Sequence, residues 1–193
     1  MHFLWQLSKN IKKELPNSIL LIGGYHAMRQ PQETLLQSEF DIVIKSTNVD
    51  FVLLEICKEL KSKNLLFNEI ETKGITYRKK GSREDIIDNG SFKMVENLDA
   101  SEIIDRNLVK WKNYAYENGN FLQTPGTYAS SVIRDCMFGK CTFCRYNGPE
   151  LSFSKMSIKK SVDEYERLII NYGVKEIFDD SGVWFRGKDA IDF

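Results

Sequence analysis

Cysteine is scarce in this chain, four in 193 residues, which is too few for a disulfide-built domain. No apolar stretch behind basic residues marks it for export, so its thiols are expected to be reduced in the cytoplasm. Net charge is also absent. With 27 basic and 27 acidic residues there is no field to hold a polyanion, and nucleic acid is not an expected partner. The short Arg78-Lys79-Lys80 run reads as the solvated tip of a hairpin. Apolar runs are only a few residues long, far short of the ~20 needed to cross a bilayer, so no membrane partner is expected. Histidine occurs twice, at His2 and His26. Internal repeats and low-complexity tracts are missing. What remains, 42% hydrophobic and 28% charged residues, is the composition of a globular enzyme.

Against that scarcity, three of the four cysteines fall together. Cys136, Cys141 and Cys144 lie in Arg134-Asp135-Cys136-Met137-Phe138-Gly139-Lys140-Cys141-Thr142-Phe143-Cys144. Thiolates are preferred ligands of zinc and of iron-sulfur clusters, and a loop containing Gly139 can turn so that three sulfurs converge. A structural zinc closes with four ligands, whereas three cysteines on a cubane leave one iron open. The other Cys and His residues, Cys57, His26 and His2, all lie far upstream, so a local zinc knuckle cannot be completed. Chemistry alone leaves three readings: a three-cysteine iron-sulfur site, zinc with a remote fourth ligand, and reduced structural thiols.

Periodicity divides the chain into three regions. Residues 1–66 alternate helix and strand: a helix through Lys12-Lys13-Glu14, a strand at Ser18 to Ile22, a short helix after Pro31, a strand at Asp41 to Lys45, and a helix from Asp50 to Lys61. This is the pattern of an open α/β sheet. On the last helix, Phe51, Leu54 and Cys57 recur at spacing three beside a Leu53, Ile56, Leu60 row, which places Cys57 in the core. Residues 67–124 form a connector. Within it Gly74 to Gly81 and Ile86 to Gly90 read as a hairpin, and Trp111, Tyr114, Tyr116 and Phe121 are expected to pack the linker between domains. Residues 125–193 begin with a strand at Thr127 to Ile133 that runs into the cysteine loop. A helix follows with the capping-box pattern Ser161-Val162-Asp163-Glu164, the shared face Val162, Tyr165, Ile169 and Tyr172, and a stop at Gly173. A second strand, Val174 to Phe178, ends in Asp179-Asp180-Ser181-Gly182, carboxylates at the carboxyl end of a strand, where barrels carry their chemistry.

This stretch from Pro125 to Asp180, with its Arg-Asp-Cys loop, Cys-Thr-Phe-Cys and second strand ending in two aspartates, resembles the start of a radical S-adenosylmethionine (radical SAM) barrel. Upstream, Ile19-Leu20-Leu21-Ile22-Gly23-Gly24-Tyr25-His26-Ala27, Pro31-Gln32-Glu33 and Asp41-Ile42-Val43-Ile44 are similar to the later half of the cobalamin-binding domain that precedes the barrel in one large radical SAM subgroup. The implied fold is α/β: a partial Rossmann-like cobalamin-binding domain, then the first strands and helix of a (β/α) TIM-like barrel. In that resemblance Cys136, Cys141 and Cys144 bind a 4Fe-4S cluster whose fourth iron chelates S-adenosyl-L-methionine. Reductive cleavage then yields a 5′-deoxyadenosyl radical, in some members for cobalamin-dependent methyl transfer or rearrangement. Phe143 matches a position that packs near the adenine, with a hydrophobic plug under the loop as the other reading. Asp179 and Asp180 match the segment that contacts S-adenosylmethionine, with solvated carboxylates as the alternative. Gly23 and Gly24 would admit the nucleotide tail of cobalamin, while His26, in the loop after a strand and outside an Asp-x-His-x-x-Gly pattern, is not read as a cobalt ligand. Expected partners are a small-molecule or peptide substrate and a reductant such as flavodoxin or ferredoxin.

Three departures from the family pattern are visible. Four residues separate the first two cysteines where three are commonest. Ser46-Thr47-Asn48-Val49 stands where cobalamin-linked members show Gly-Glu-Gly-Glu. Asp-Asp-Ser-Gly stands where many members show Gly-Gly-Glu. The segment from Pro125 onward is also much shorter than the ~200 residues or more of a closed barrel, and the chain starts inside what reads as a later helix. The expectation is therefore an internal piece of a longer enzyme, itself poorly stable and unable to cleave S-adenosylmethionine alone. The competing expectations are a zinc-stabilised binding module and an inactive remnant.

Overall fold

The computed structural model describes residues 1–63, 69–79, 81–93, 95, 97–116, 121–129, 132–144, 146 and 153–192. It is a mixed α/β structure that divides into two compact units, Met1–Met94 with Lys140–Leu151, and Val95–Gly139 with Ser152–Phe193. Among the described residues no helix is long and apolar enough to cross a membrane.

In the first unit, α1 (His2–Glu14), β1 (Leu21–Ile22), α2 (Tyr25–Arg29), α3 (Pro31–Gln37), β2 (Ile42–Ile44), α4 (Val49–Ser62), β3 (Ile75–Arg78) and β4 (Ile86–Asp88) follow in order. The sheet has the order β1-β2-β3-β4. β1 and β2 run parallel, with Leu21 opposite Ile42 and Ile22 opposite Val43, and β3 and β4 join antiparallel. The expected hairpin thus forms and extends this sheet. Because side chains alternate across a strand, this register sorts the apolar residues into two cores. Ile42, Ile44, Ile75 and Tyr77 pack with Val52, Ile56 and Leu60 of α4 on one face. Ile22 and Val43 pack with Ala27, Leu35 and Phe40 on the other.

The inward row of α4 is therefore Val52, Ile56 and Leu60, at spacing four. Leu53, Leu54 and Cys57 are exposed, which corrects the core placement of Cys57. The apolar positions of α4 span more than one stripe, so periodicity finds Ile56 and Leu60 but sets Leu53 beside them in place of Val52. Arg78 is likewise no hairpin tip. It lies in β3, where its guanidinium donates to the carbonyls of Leu35 and Ser38 and stands 3.6 Å from Glu39. Lys80 lies outside the described residues.

The second unit contains short 3₁₀ turns at Leu98–Ala100 and Arg106–Val109, then α5 (Lys112–Ala115), β5 (Gly126–Tyr128), β6 (Ile133–Arg134), β7 (Ser154–Lys155), α6 (Ile158–Tyr172), β8 (Glu176–Phe178) and α7 (Lys188–Asp192). β5 pairs in parallel with β8, with Thr127 opposite Ile177, and β6 pairs antiparallel with β7. The stretch expected as one strand from Thr127 to Ile133 is thus represented by β5 and β6; residues 130 and 131 lie outside the described set.

α6 starts earlier than the Ser161 pattern suggests. Ser157 is its cap, accepting from the Lys160 N–H, and Ser161 sits one turn inside with its hydroxyl donating to the Ser157 carbonyl. The helix ends as expected at Gly173, whose φ of 65° is the left-handed conformation that glycine adopts without strain. Its N–H donates to Ile169 O and that of Val174 to Leu168 O. The buried face is Ser161, Glu164 and Leu168, whereas Ile169 is exposed. Leu168 packs with Trp111, Ala115 and Val174. Phe121 lies against Tyr128, while Tyr114 and Tyr116 are exposed, so two of the four connector aromatics pack and two do not.

Candidate metal and cofactor site

β6 delivers the chain to the first cysteine. Immediately after it, Asp135 is buried and holds φ at 61°, a conformation uncommon outside glycine and best tolerated by Asp and Asn. That turn ends the strand, and Cys136 follows, half-buried. Further along the loop the Cys144 N–H donates to Cys141 O at 3.0 Å, closing a tight turn, and the Tyr146 N–H donates to Cys144 Sγ at 3.4 Å. Hydrogen bonds from backbone N–H groups to sulfur stabilise thiolates that carry a cluster. Cys141 and Cys144 are also half-buried.

Cys136 belongs to the second unit, Cys141 and Cys144 to the first. Among the described residues no set of three or more His, Cys, Asp and Glu side chains is gathered to hold a metal ion. The donor chemistry, three thiols within nine residues, fits a soft-metal centre. Phe143 is 92% exposed, so it does not plug the underside of the loop.

The two aspartates after β8 differ in their surroundings. Asp179 is half-buried: Tyr165 of α6 donates its hydroxyl to Oδ2 at 2.7 Å, and the Ser181 N–H donates to Oδ1 at 2.8 Å. Burial, with the Asp179 carboxylate second, pushes the Tyr165 phenol above its ordinary range and keeps it a donor. Asp180 is exposed. Within β8, Ile177 packs toward Leu168 of α6, whereas Phe178 lies on the other face against Tyr128, ring centroids 5.3 Å apart. Asp179, just past the strand, meets Tyr165 of α6, whereas Asp180 has its side chain in solvent.

In the first unit, Gly23-Gly24 follows β1 and Ser46-Thr47-Asn48 follows β2, so both loops lie at the carboxyl ends of parallel strands, where open α/β sheets hold their ligands. Gly24 has φ of 92° and begins α2, a backbone that a side chain would strain. A Cβ on Gly23 would meet only ordinary contacts with Ile44 and Val49, so the protein itself does not require glycine there. Ser46 and Asn48 are buried, and the Asn48 N–H donates to Ser46 Oγ. This stretch is a closed polar turn without a carboxylate. His26 is not in a loop but in α2, exposed, with Nε2 3.8 Å from Glu33. Tyr146, two residues beyond Cys144, meets Tyr25 edge to face at 5.7 Å, which sets the end of the cysteine segment beside the Gly23-Gly24 turn. An open cavity of about 910 Å³ lies at the opposite, amino end of the parallel strands, lined by Lys12, Asp41, Arg78 and Arg83 among others. It is crossed by the Lys12–Asp41 pair at 2.7 Å and the Arg83–Glu39 pair at 2.7 Å, so its charges are largely matched internally.

Sequence reading missed two sets of contacts in the second unit. Arg106 and Glu164, 3.1 Å apart and both buried, join the 3₁₀ turn to α6, and Arg106 also donates to Tyr128 O at the end of β5. Tyr165 and Ser181 hold Asp179. Glu164 stood in view as part of a supposed capping box; nothing local marked Arg106, 58 residues away, as its partner.

No family model matches the chain, and no solved structure matches it. Among curated proteins, the anaerobic magnesium-protoporphyrin IX monomethyl ester cyclase of Cereibacter sphaeroides is 26% identical over 161 residues, an alignment that takes in 83% of this chain and 25% of that enzyme. The chain thus spans a quarter of the length of the relative it matches.

Proposed function

We propose that this chain is part of a radical SAM enzyme, in which Cys136, Cys141 and Cys144 hold a 4Fe-4S cluster and the residues after β8 help to seat S-adenosyl-L-methionine. The observation that carries the reading is the β5–α6–β8 crossover, with β5 and β8 parallel and the three cysteines in the segment that joins β5 to α6. The anaerobic cyclase relative supports it, because closing a carbon ring without dioxygen calls for another means of activating carbon-hydrogen bonds.

When bound, such a cluster supplies one electron to the sulfonium, which breaks into methionine and a 5′-deoxyadenosyl radical able to take hydrogen from a substrate. The protein's own residues do the rest. The cysteines hold three irons and leave one for the amino acid end of S-adenosylmethionine. Phe143, exposed at the loop tip, stacks on the adenine, and Asp180 accepts from its ammonium or ribose groups. Residues 1–66 are the later part of a Rossmann-like domain, with Gly23-Gly24 at the edge that receives a cobalamin tail. Residues 125–193 begin a (β/α) barrel. Substrate is a small molecule or peptide, and the electron comes from a flavodoxin or ferredoxin.

The test is anaerobic reconstitution of the chain with iron and sulfide. A brown protein whose reduced electron paramagnetic resonance signal changes on addition of S-adenosylmethionine supports the proposal. A colourless protein retaining one tightly held zinc contradicts it.

A further inference from the structure

Hydrogen bonds in the second unit form an unbroken chain from α6 to the strand that precedes Cys136. The Tyr165 hydroxyl donates to Asp179 Oδ2, the Ser181 N–H donates to Asp179 Oδ1, and the Ile133 N–H donates to Ser181 Oγ at 3.1 Å. Ile133 is 2% exposed, so its N–H has no solvent to fall back on if the serine hydroxyl is lost. From Ile133 only Arg134 and the left-handed Asp135 intervene before Cys136. β6 has just two residues, pairing with an equally short β7, so its own ladder is too small to fix it firmly.

We propose that Tyr165, Asp179 and Ser181 form a positioning relay that fixes the backbone leading to Cys136, and that Asp179 is consequently a positioning residue and not a cofactor ligand. The inference rests on the cluster reading above and deepens it. It separates two aspartates that sequence treats as a pair: Asp179 has both oxygens engaged inside the protein, while Asp180 is exposed. It also gives Ser181 a task that a glycine or alanine cannot perform, because a hydroxyl must accept from Ile133 while the same residue's N–H serves Asp179.

The test compares the wild-type chain with Ser181→Ala, Ser181→Thr, Tyr165→Phe and Asp180→Asn, each checked for native far-ultraviolet circular dichroism. In the metal-free chain, hydrogen exchange is followed on peptides covering 132–136, together with the rate at which each cysteine is alkylated. Ser181→Ala and Tyr165→Phe are expected to speed exchange there by on the order of tenfold and to raise alkylation of Cys136 but not of Cys57. Ser181→Thr, which restores the acceptor, and Asp180→Asn are expected to match wild type. After reconstitution, the first two should bind several-fold less iron and give a broadened paramagnetic signal. Unchanged exchange in Ser181→Ala, or a Ser181→Thr protein as impaired as Ser181→Ala, overturns the relay. If the relay responds as expected in the metal-free chain but wild type takes up no cluster, the cluster reading fails, and with it the relay's role in cluster assembly, while the hydrogen-bond chain itself stands.

Discussion

Glu59 should be one of the strongest single contributors to the stability of the first unit, and its effect should vanish in acid. From α4 its half-buried carboxylate takes four hydrogen bonds: Lys63 Nζ at 2.8 Å, the Glu71 N–H at 2.8 Å, the Thr72 N–H at 2.9 Å and the Thr72 hydroxyl at 2.6 Å. It thereby pins the segment before β3 onto the helix. Burial works against ionisation, but these donors outweigh it and bring the carboxyl from 4.5 down to about 2. At 1.36 kcal/mol per pH unit that difference corresponds to about 3 kcal/mol, trimmed to about 2 kcal/mol by residual solvent screening. Because the folded value lies below the unfolded one, the contribution is fully present above about 4.5 and is lost as pH falls toward about 2. Glu59→Gln keeps an acceptor but removes the charge. Urea unfolding at pH 7, followed by exchange in α4, should show a loss of about 1–2 kcal/mol, and the gap from wild type should close as pH is lowered to about 2. A constant difference across that range would refute the reasoning.

Four other outcomes follow from particular contacts. Arg106→Ala leaves the buried Glu164 carboxylate without its cation and should destabilise the second unit by about 3–5 kcal/mol, whereas the double change Arg106→Met with Glu164→Leu should cost less than the single one; denaturant curves of the three proteins decide this. Phe143→Ala, at an exposed position, should leave stability within about 0.5 kcal/mol of wild type and weaken S-adenosylmethionine binding to the reconstituted protein severalfold, read by titration of the paramagnetic signal. In the cobalamin complex that the proposed function calls for, His26→Ala should leave the visible spectrum and the affinity unchanged, since His26 sits in a helix beside Glu33; a spectral shift would identify it as a cobalt ligand. Ile56→Ala, at a fully buried position of α4, should cost about 2–5 kcal/mol by thermal unfolding.

What the sequence made legible was mostly local. The helices at His2–Glu14, Pro31–Gln37 and Val49–Ser62, the Ile75–Asp88 hairpin and the Gly173 stop are each written in periodicity, caps and turn residues within a few positions of one another. Two-residue strands such as β1 and β6 carry almost no pattern, so their ends were overextended. α2 escaped notice because five residues of helix beginning at a glycine have no periodicity to show. The inward face of α4 was misread in part because apolar residues occupy several stripes and only the packed sheet decides among them. At the site, the donor types were plain from sequence, but the unequal environments of Asp179 and Asp180 depend on Tyr165 reaching back from α6. The Arg106–Glu164 pair joins distant segments and exists only once the second unit is folded.

The central claim, that Cys136, Cys141 and Cys144 are cluster ligands and Cys57 is not, is tested most directly by iron and sulfide content after anaerobic reconstitution of the four single cysteine-to-alanine proteins. Cys136→Ala, Cys141→Ala and Cys144→Ala should each lose the brown chromophore and bound iron, while Cys57→Ala, changed at an exposed position on α4, should match wild type. Loss of iron in Cys57→Ala as complete as in the other three, or full iron retained in any of those three, would contradict the account.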